Sequence, residues 1–205
     1  MEFTERVRDG LEILRRRDPA GKRVFGAASH RYELHPPLDQ SAVARFEAAH
    51  SVQLPSDYRA FLTQIGNGGA GPYYGVFKLG EMDDGYGDKP WKPGLMVGVP
   101  SQSFPHRERW NLSEAELERI QASEDDDEII RTYWRPVDGA LPICHQGCAL
   151  RDWLAVTGPE AGHVWHDATA DFQGWRPWTR NDGRHMTFAE WYVAWLEKAL
   201  SQTAN

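Results

Sequence analysis

The sequence predicts an α+β fold: a single domain with a curved, mostly antiparallel sheet and helices packed on one face. Three observations carry this expectation. Helical and strand-like periods are mixed along the chain without strict alternation. Residues 141–156 and 162–166 read as strands, and Thr157-Gly158-Pro159-Glu160 between them has the residues of a turn in an antiparallel pair. Near the end, Phe188, Trp191, Tyr192, Trp195, Leu196 and Ala199 recur at i, i+3, i+4, i+7, i+8 and i+11, the spacing of one buried helix face.

The elements follow in order. Residues 2–17 read as a short charged helix with Phe3, Val7, Leu11 and Leu14 on one stripe. Residues 1–30 are expected as an N-terminal helical arm and residues 31–205 as the domain. Residues 31–34 read as a short strand ended by Pro36-Pro37, and residues 40–50 as a helix turning Val43, Phe46 and Ala49 inward. Pro55 stands where a first-turn proline is tolerated, and Tyr58, Phe61, Leu62 and Ile65 continue a helical period. The run Gly66-Asn67-Gly68-Gly69-Ala70-Gly71-Pro72 stops that helix, and residues 75–79 alternate like a half-buried strand. Residues 80–105, rich in Gly, Pro and Asp, read either as a long loop or as a loop with one short strand at 95–99. Ser113 and Glu116 have capping-box spacing and start a helix that frays into residues 124–128; Thr187 and Glu190 start the terminal helix in the same way.

Composition excludes several function classes. The chain has 205 residues, 40% of them hydrophobic, and can bury a sizeable core. The formal net charge of -7 argues against non-specific binding of nucleic acid and against docking on anionic membranes, and favours a neutral or basic protein partner. Two cysteines make no disulfide framework. The first residues are charged throughout and no window is long and apolar enough for a membrane span, so a cytoplasmic protein is expected.

Candidate chemistry weakens on inspection. The glycine run leaves a helix, enters a strand and has no lysine, unlike a phosphate loop; a left-handed helix cap at Gly66 or Asn67 explains it. Cys144, His145 and Cys148, with His163 and His166, have ligand chemistry, but two strand positions four apart lie about 13 Å from each other. No metal and no cofactor are expected. Ser101, Ser103 and His106 share a loop without a nucleophile pattern, and Asp152, Asp167, Asp171 and Glu160 read as solvated turn residues. No enzyme is expected. Partner binding falls to the acidic run Glu124, Asp125, Asp126, Asp127 and Glu128, which is either a solvated loop or a docking surface for a basic partner. It falls also to loop tryptophans such as Trp91 and Trp110, which either anchor an interface or lie flat over the domain edge.

Two blocks of motifs add a resemblance. The first is Leu54-Pro55 opening a helix, Gly66-Asn67-Gly68-Gly69, Gly71-Pro72, and Tyr74-Gly75-Val76-Phe77-Lys78-Leu79. The second is Pro142-Ile143, Gly147-Cys148, Gly158, Gly162-His163-Val164-Trp165, and Phe188 with Trp191 on a final helix. In this order, over roughly residues 34–200, they resemble the SUKH superfamily: the yeast killer-toxin-resistance cell-wall regulator and its bacterial immunity relatives. The resemblance implies a single α+β domain and a protein-binding role. The expected function is an immunity protein that neutralises a cognate polymorphic toxin by occluding its active site, the acidic bias tilting toward a basic nuclease. A non-enzymatic regulatory scaffold is the second implied role.

Overall fold

Four strands, β3 to β6, form an antiparallel sheet in sequential order, and everything else is arranged about its two faces and two edges. The computed structural model describes residues 2–83, 88–91, 97–126, 128–129 and 137–204. Within them, α1 is Phe3–Arg17, α2 is Gln40–His50, α3 is Ser56–Ala60 and α4 is Glu114–Gln121; the terminal helix, α5, is Phe188–Gln202. A small antiparallel pair, β1 (Glu81–Asp83) and β2 (Asp88–Pro90), precedes the main sheet of β3 (Ala140–Gly147), β4 (Leu150–Ala155), β5 (Val164–Ala168) and β6 (Gly174–Pro177). The α+β expectation holds.

The helices lie against one face of the sheet. Leu154 and Val164 meet Phe188, Trp191, Tyr192 and Leu196 of α5 in one core, with Phe61 and Leu62 beyond them. α1, expected as an arm, places Val7, Leu11 and Leu14 at full burial in the same core. Gly10 makes that docking possible: a Cβ there would stand 2.8 Å from Leu196 Cδ2. A mid-helix glycine costs ~1 kcal/mol against alanine, and close packing on α5 offsets it.

The opposite face of the sheet carries a second core, built on Trp153, Trp165 and Trp175. The long loop covers it. Val97 and Phe104 are buried there, and Phe104 N–H donates to Thr157 O at 3.0 Å. Trp165 is therefore core, but it faces away from α5. The loop pairs β1 and β2, which the sequence reading missed; residues 95 and 96 of the short strand weighed at 95–99 lie outside the described residues.

Both edges of the sheet are covered by single bridges, which removes exposed pairing surface. Trp110 pairs with Trp175 of β6, exchanging N–H···O bonds of 2.9 and 2.7 Å. Val76 pairs with Cys144 of β3, and Gly69 pairs in turn with Val76 and Leu34. Residues 75–79 thus run along β3 as a bridge, not as a regular strand.

Local chemistry departs from expectation at three places. Arg31 and Tyr32 have φ of 47° and 61°, so residues 31–34 turn instead of extending. Tyr32 is fully buried, and its hydroxyl donates to Asp18 at 2.7 Å. The helix of the first motif block widens at its end: Gly66 N–H donates to Phe61 O, five residues back, at 2.9 Å. Gly66 itself is extended, with φ -179°, so no left-handed cap sits there; positive φ falls on Gly68 and Gly69. Finally, residues 141–156 divide into β3 and β4 through Cys148-Ala149, both left-handed (φ 50° and 63°), the conformation of a two-residue hairpin turn.

Candidate functional site

Residues of the first motif block meet His145 of β3 in one cleft. Its walls are the turn after residue 29, the glycine turn and β3, and it encloses about 520 Å³. Gly69 and Gly75 to Phe77 come from the first block, His145 from β3, and Glu33 and His35 stand exposed at the rim. The His145 ring stacks between Tyr74, at 4.7 Å and 14°, and Phe77, at 5.8 Å and 3°. His30 closes the cleft from inside. Its Nδ1 accepts from Tyr32 N–H at 3.0 Å, and burial lowers its pKa to about 4. A stacked, polar concavity of this kind suits a partner's side chain or backbone better than an apolar small molecule.

A second, apolar cleft of about 230 Å³ opens beside α5, lined by Val24, Tyr73, Trp178, Met186, Trp191 and Trp195. It lies below the usual range of small-molecule pockets, ~300–1,000 Å³. Trp195, expected in the core, is half-buried and forms part of its wall. Phe25 at its mouth is 66% exposed.

Between the clefts, a polar row crosses the sheet through Cys144, Asp152, His166 and Arg176, paired strand by strand. Asp152 is fully buried; its Oδ1 accepts from Gln146 Nε2 at 2.8 Å and Trp178 Nε1 at 2.9 Å and lies 3.2 Å from His166 Nδ1. Asp167, on the other face, accepts from Thr169 N–H and hydroxyl at 2.9 and 2.6 Å, and burial raises its pKa. Asp152 and Asp167 are therefore buried structural acids, a correction to their reading as solvated turn residues; Asp171 is exposed as expected. Cys144 is buried with its thiol pKa raised by burial, whereas Cys148 is exposed in the hairpin turn. The two do not converge with His163 and His166 as a ligand set. The only metal-type cluster among the described residues is Glu160, His163 and His185.

The residues expected to bind a partner are spread. Glu124, Asp125 and Asp126 are exposed beyond α4; Asp127 lies outside the described residues. Asp125 Oδ1 accepts from Glu128 N–H at 3.3 Å, and Glu128 is half-buried against Arg119 and Ser123. Part of the acidic run thus closes its own turn, although Glu124, Asp125 and Asp126 are exposed. Trp91 is half-buried against Phe46, at 5.8 Å, and His50, at 5.7 Å. Trp110 is half-buried and stacks on His106 at 5.0 Å. The cleft at His145 was not singled out from sequence. Only the bridge from Val76 to Cys144 brings the first motif block beside His145.

No helix among the described residues is long and apolar enough to cross a membrane. A family model described as SMI1 / KNR4 family (SUKH-1) matches residues 37–181, more than half of the chain. A comparison with curated proteins and one with solved structures each found no match.

Proposed function

From the membership of this chain in the SMI1 / KNR4 family (SUKH-1), we propose that it is a cytoplasmic immunity protein that binds a cognate toxin domain and blocks its active site. The observation that carries the reading is the family match itself. The polar, stacked cleft lined by Gly69, Gly75 to Phe77 and His145 supports a protein-binding role over catalysis. Glu124, Asp125 and Asp126 steer a basic toxin, such as a nuclease, toward the surface, and the exposed parts of Trp91 and Trp110 are covered in the complex. Exposed charges of this kind act on encounter more than on the packed centre. A regulatory scaffold of the cell-wall-regulator type is the second reading, favoured by the same family match.

The test expresses the reading frame beside this gene and, where it encodes a toxin domain, measures binding rates across ionic strength. Replacing Asp125, Asp126 and Asp127 together by Asn should slow association several-fold at low salt and much less at high salt. An unchanged association rate removes the acidic docking surface. Failure of the protein to bind that toxin, or to protect cells from it, removes the immunity reading and leaves the scaffold.

A further inference from the structure

Glu160, His163 and His185 turn their ligand atoms toward one point, all within 4.8 Å of one another. Glu160 Oε2 stands 2.6 Å from His185 Nδ1 and 3.2 Å from His163 Nδ1. The two imidazoles meet nearly at right angles, at 88° and 5.6 Å between ring centres. We propose that these three side chains bind a divalent transition-metal ion, with zinc as the chemical type.

The donor set decides the ion. Two imidazole nitrogens and one carboxylate suit zinc, cobalt or nickel; calcium and magnesium want oxygen ligands throughout. A tetrahedral ion with bonds of 2.0–2.1 Å needs donors about 3.4 Å apart. Reaching that value needs the 2.6 and 3.2 Å separations to open and the imidazole nitrogens, within 4.8 Å of each other, to settle to it, by rotations of side chains that are 13%, 32% and 24% exposed.

Hydrogen bonding within the triad is incomplete. His185 Nδ1 is bonded to Glu160, but His163 Nδ1, closed to solvent, makes no hydrogen bond despite its 3.2 Å approach to the same oxygen. A buried nitrogen without a partner is costly, and a cation at the common point removes that cost.

The backbone holds all three donors in place without the ion. His163 N–H donates to Glu160 O at 3.0 Å, which closes the turn carrying two of the ligands. His163 then bridges to Thr187, His185 bridges to Thr179, and Val164 N–H donates to Met186 O at 2.9 Å. A bound ion would clip the turn between β4 and β5 to the segment entering α5, with one coordination position left over. His185 lies beyond the residues that match the family model, so this set is assembled by the whole chain. The expectation of no metal weighed His163 with Cys144, His145, Cys148 and His166; His185 joins it only in the fold.

The test titrates Zn²⁺, and Co²⁺ as a spectroscopic probe, into the full chain without an affinity tag. The expected result is one ion per chain, visible absorption typical of tetrahedral Co²⁺, and a raised thermal midpoint. His163→Gln and His185→Gln should each weaken binding by more than the ~10–100-fold that outer partners alone contribute. Cys148→Ser, exposed and outside the cluster, should bind as the parent does. If either ligand variant fails to fold, the parent protein decides: Zn²⁺ must shift the ring resonances of His163 and His185 together. Absence of one-to-one binding up to millimolar ion, or binding that persists unchanged in the folded ligand variants, overturns the proposal. So does a Zn²⁺ titration in the parent that leaves those two rings unmoved.

Discussion

Gly69 is the residue through which the first motif block is joined to the sheet, and replacing it by alanine tests that architecture. It pairs with Leu34 on one side and with Val76 on the other, where two N–H···O bonds of 2.8 Å close the bridge. Val76 pairs onward with Cys144, so one glycine links the turn after residue 29 to β3. Its φ is +101°, and an added Cβ would stand 2.5 Å from Glu33 O and 2.9 Å from Leu34 Cα. Positive φ costs an L-residue ~1–2 kcal/mol. Forcing a methyl against backbone costs a further ~1–3 kcal/mol. Gly69→Ala should therefore destabilise by about 2–5 kcal/mol, which lowers the thermal midpoint by roughly 4–20 °C in a chain of this size. Gly183 supplies the control. Its φ is +82°, but a Cβ added there would meet nothing within 4 Å, so Gly183→Ala should cost only the ~1–2 kcal/mol of strain. Denaturant unfolding of the three proteins measures the difference. If Gly69→Ala is no worse than Gly183→Ala, the close approach to residues 33–35 is not real and the bridge argument fails.

Two further predictions concern buried titratable groups. Burial lowers the His30 pKa from 6.5 to about 4, so its contribution is fully present above pH ~6.5 and is lost as the pH falls toward 4; the loss is about 3 kcal/mol. Unfolding free energy measured from pH 7 downward should fall less steeply in His30→Gln than in the parent, and parallel profiles would refute the assignment. A thiol reagent should label Cys148 at once in the folded protein and reach Cys144 only after unfolding, because Cys144 is buried and its thiolate is disfavoured there. Two fast-reacting thiols in the native state would contradict the burial of β3.

Much of the fold was legible because local chemistry and tertiary packing agree. The capping boxes at Ser113 and Thr187 form as their spacing predicts, and the turn at residues 157–160 joins an antiparallel pair. The helical stripes of α1 and α5 are buried where periodicity placed them, apart from Phe3 and Trp195, which are half-buried. Periodicity finds a buried face because burial acts on every turn of a helix. It cannot say which layer a strand residue faces: Val164 and Trp165 are neighbours in sequence and lie in different cores. The turn at Cys148-Ala149 was invisible for a different reason. Neither residue favours positive φ, and the pairing of β3 with β4 imposes it.

The sequence by itself determined the fold class, the two motif blocks and the family they belong to, because each rests on residues close along the chain. The candidate sites rest on long-range pairing, and only the tertiary structure decided them. The cleft at His145 needs the bridge between Val76 and Cys144, some seventy residues apart. The Oδ1 of Asp152 meets Gln146 of β3, His166 of β5 and Trp178 after β6, a setting that its neighbours in sequence do not announce. Likewise Glu160 and His163 meet His185 only because Val164 and Met186 are hydrogen-bonded across the chain reversal before α5.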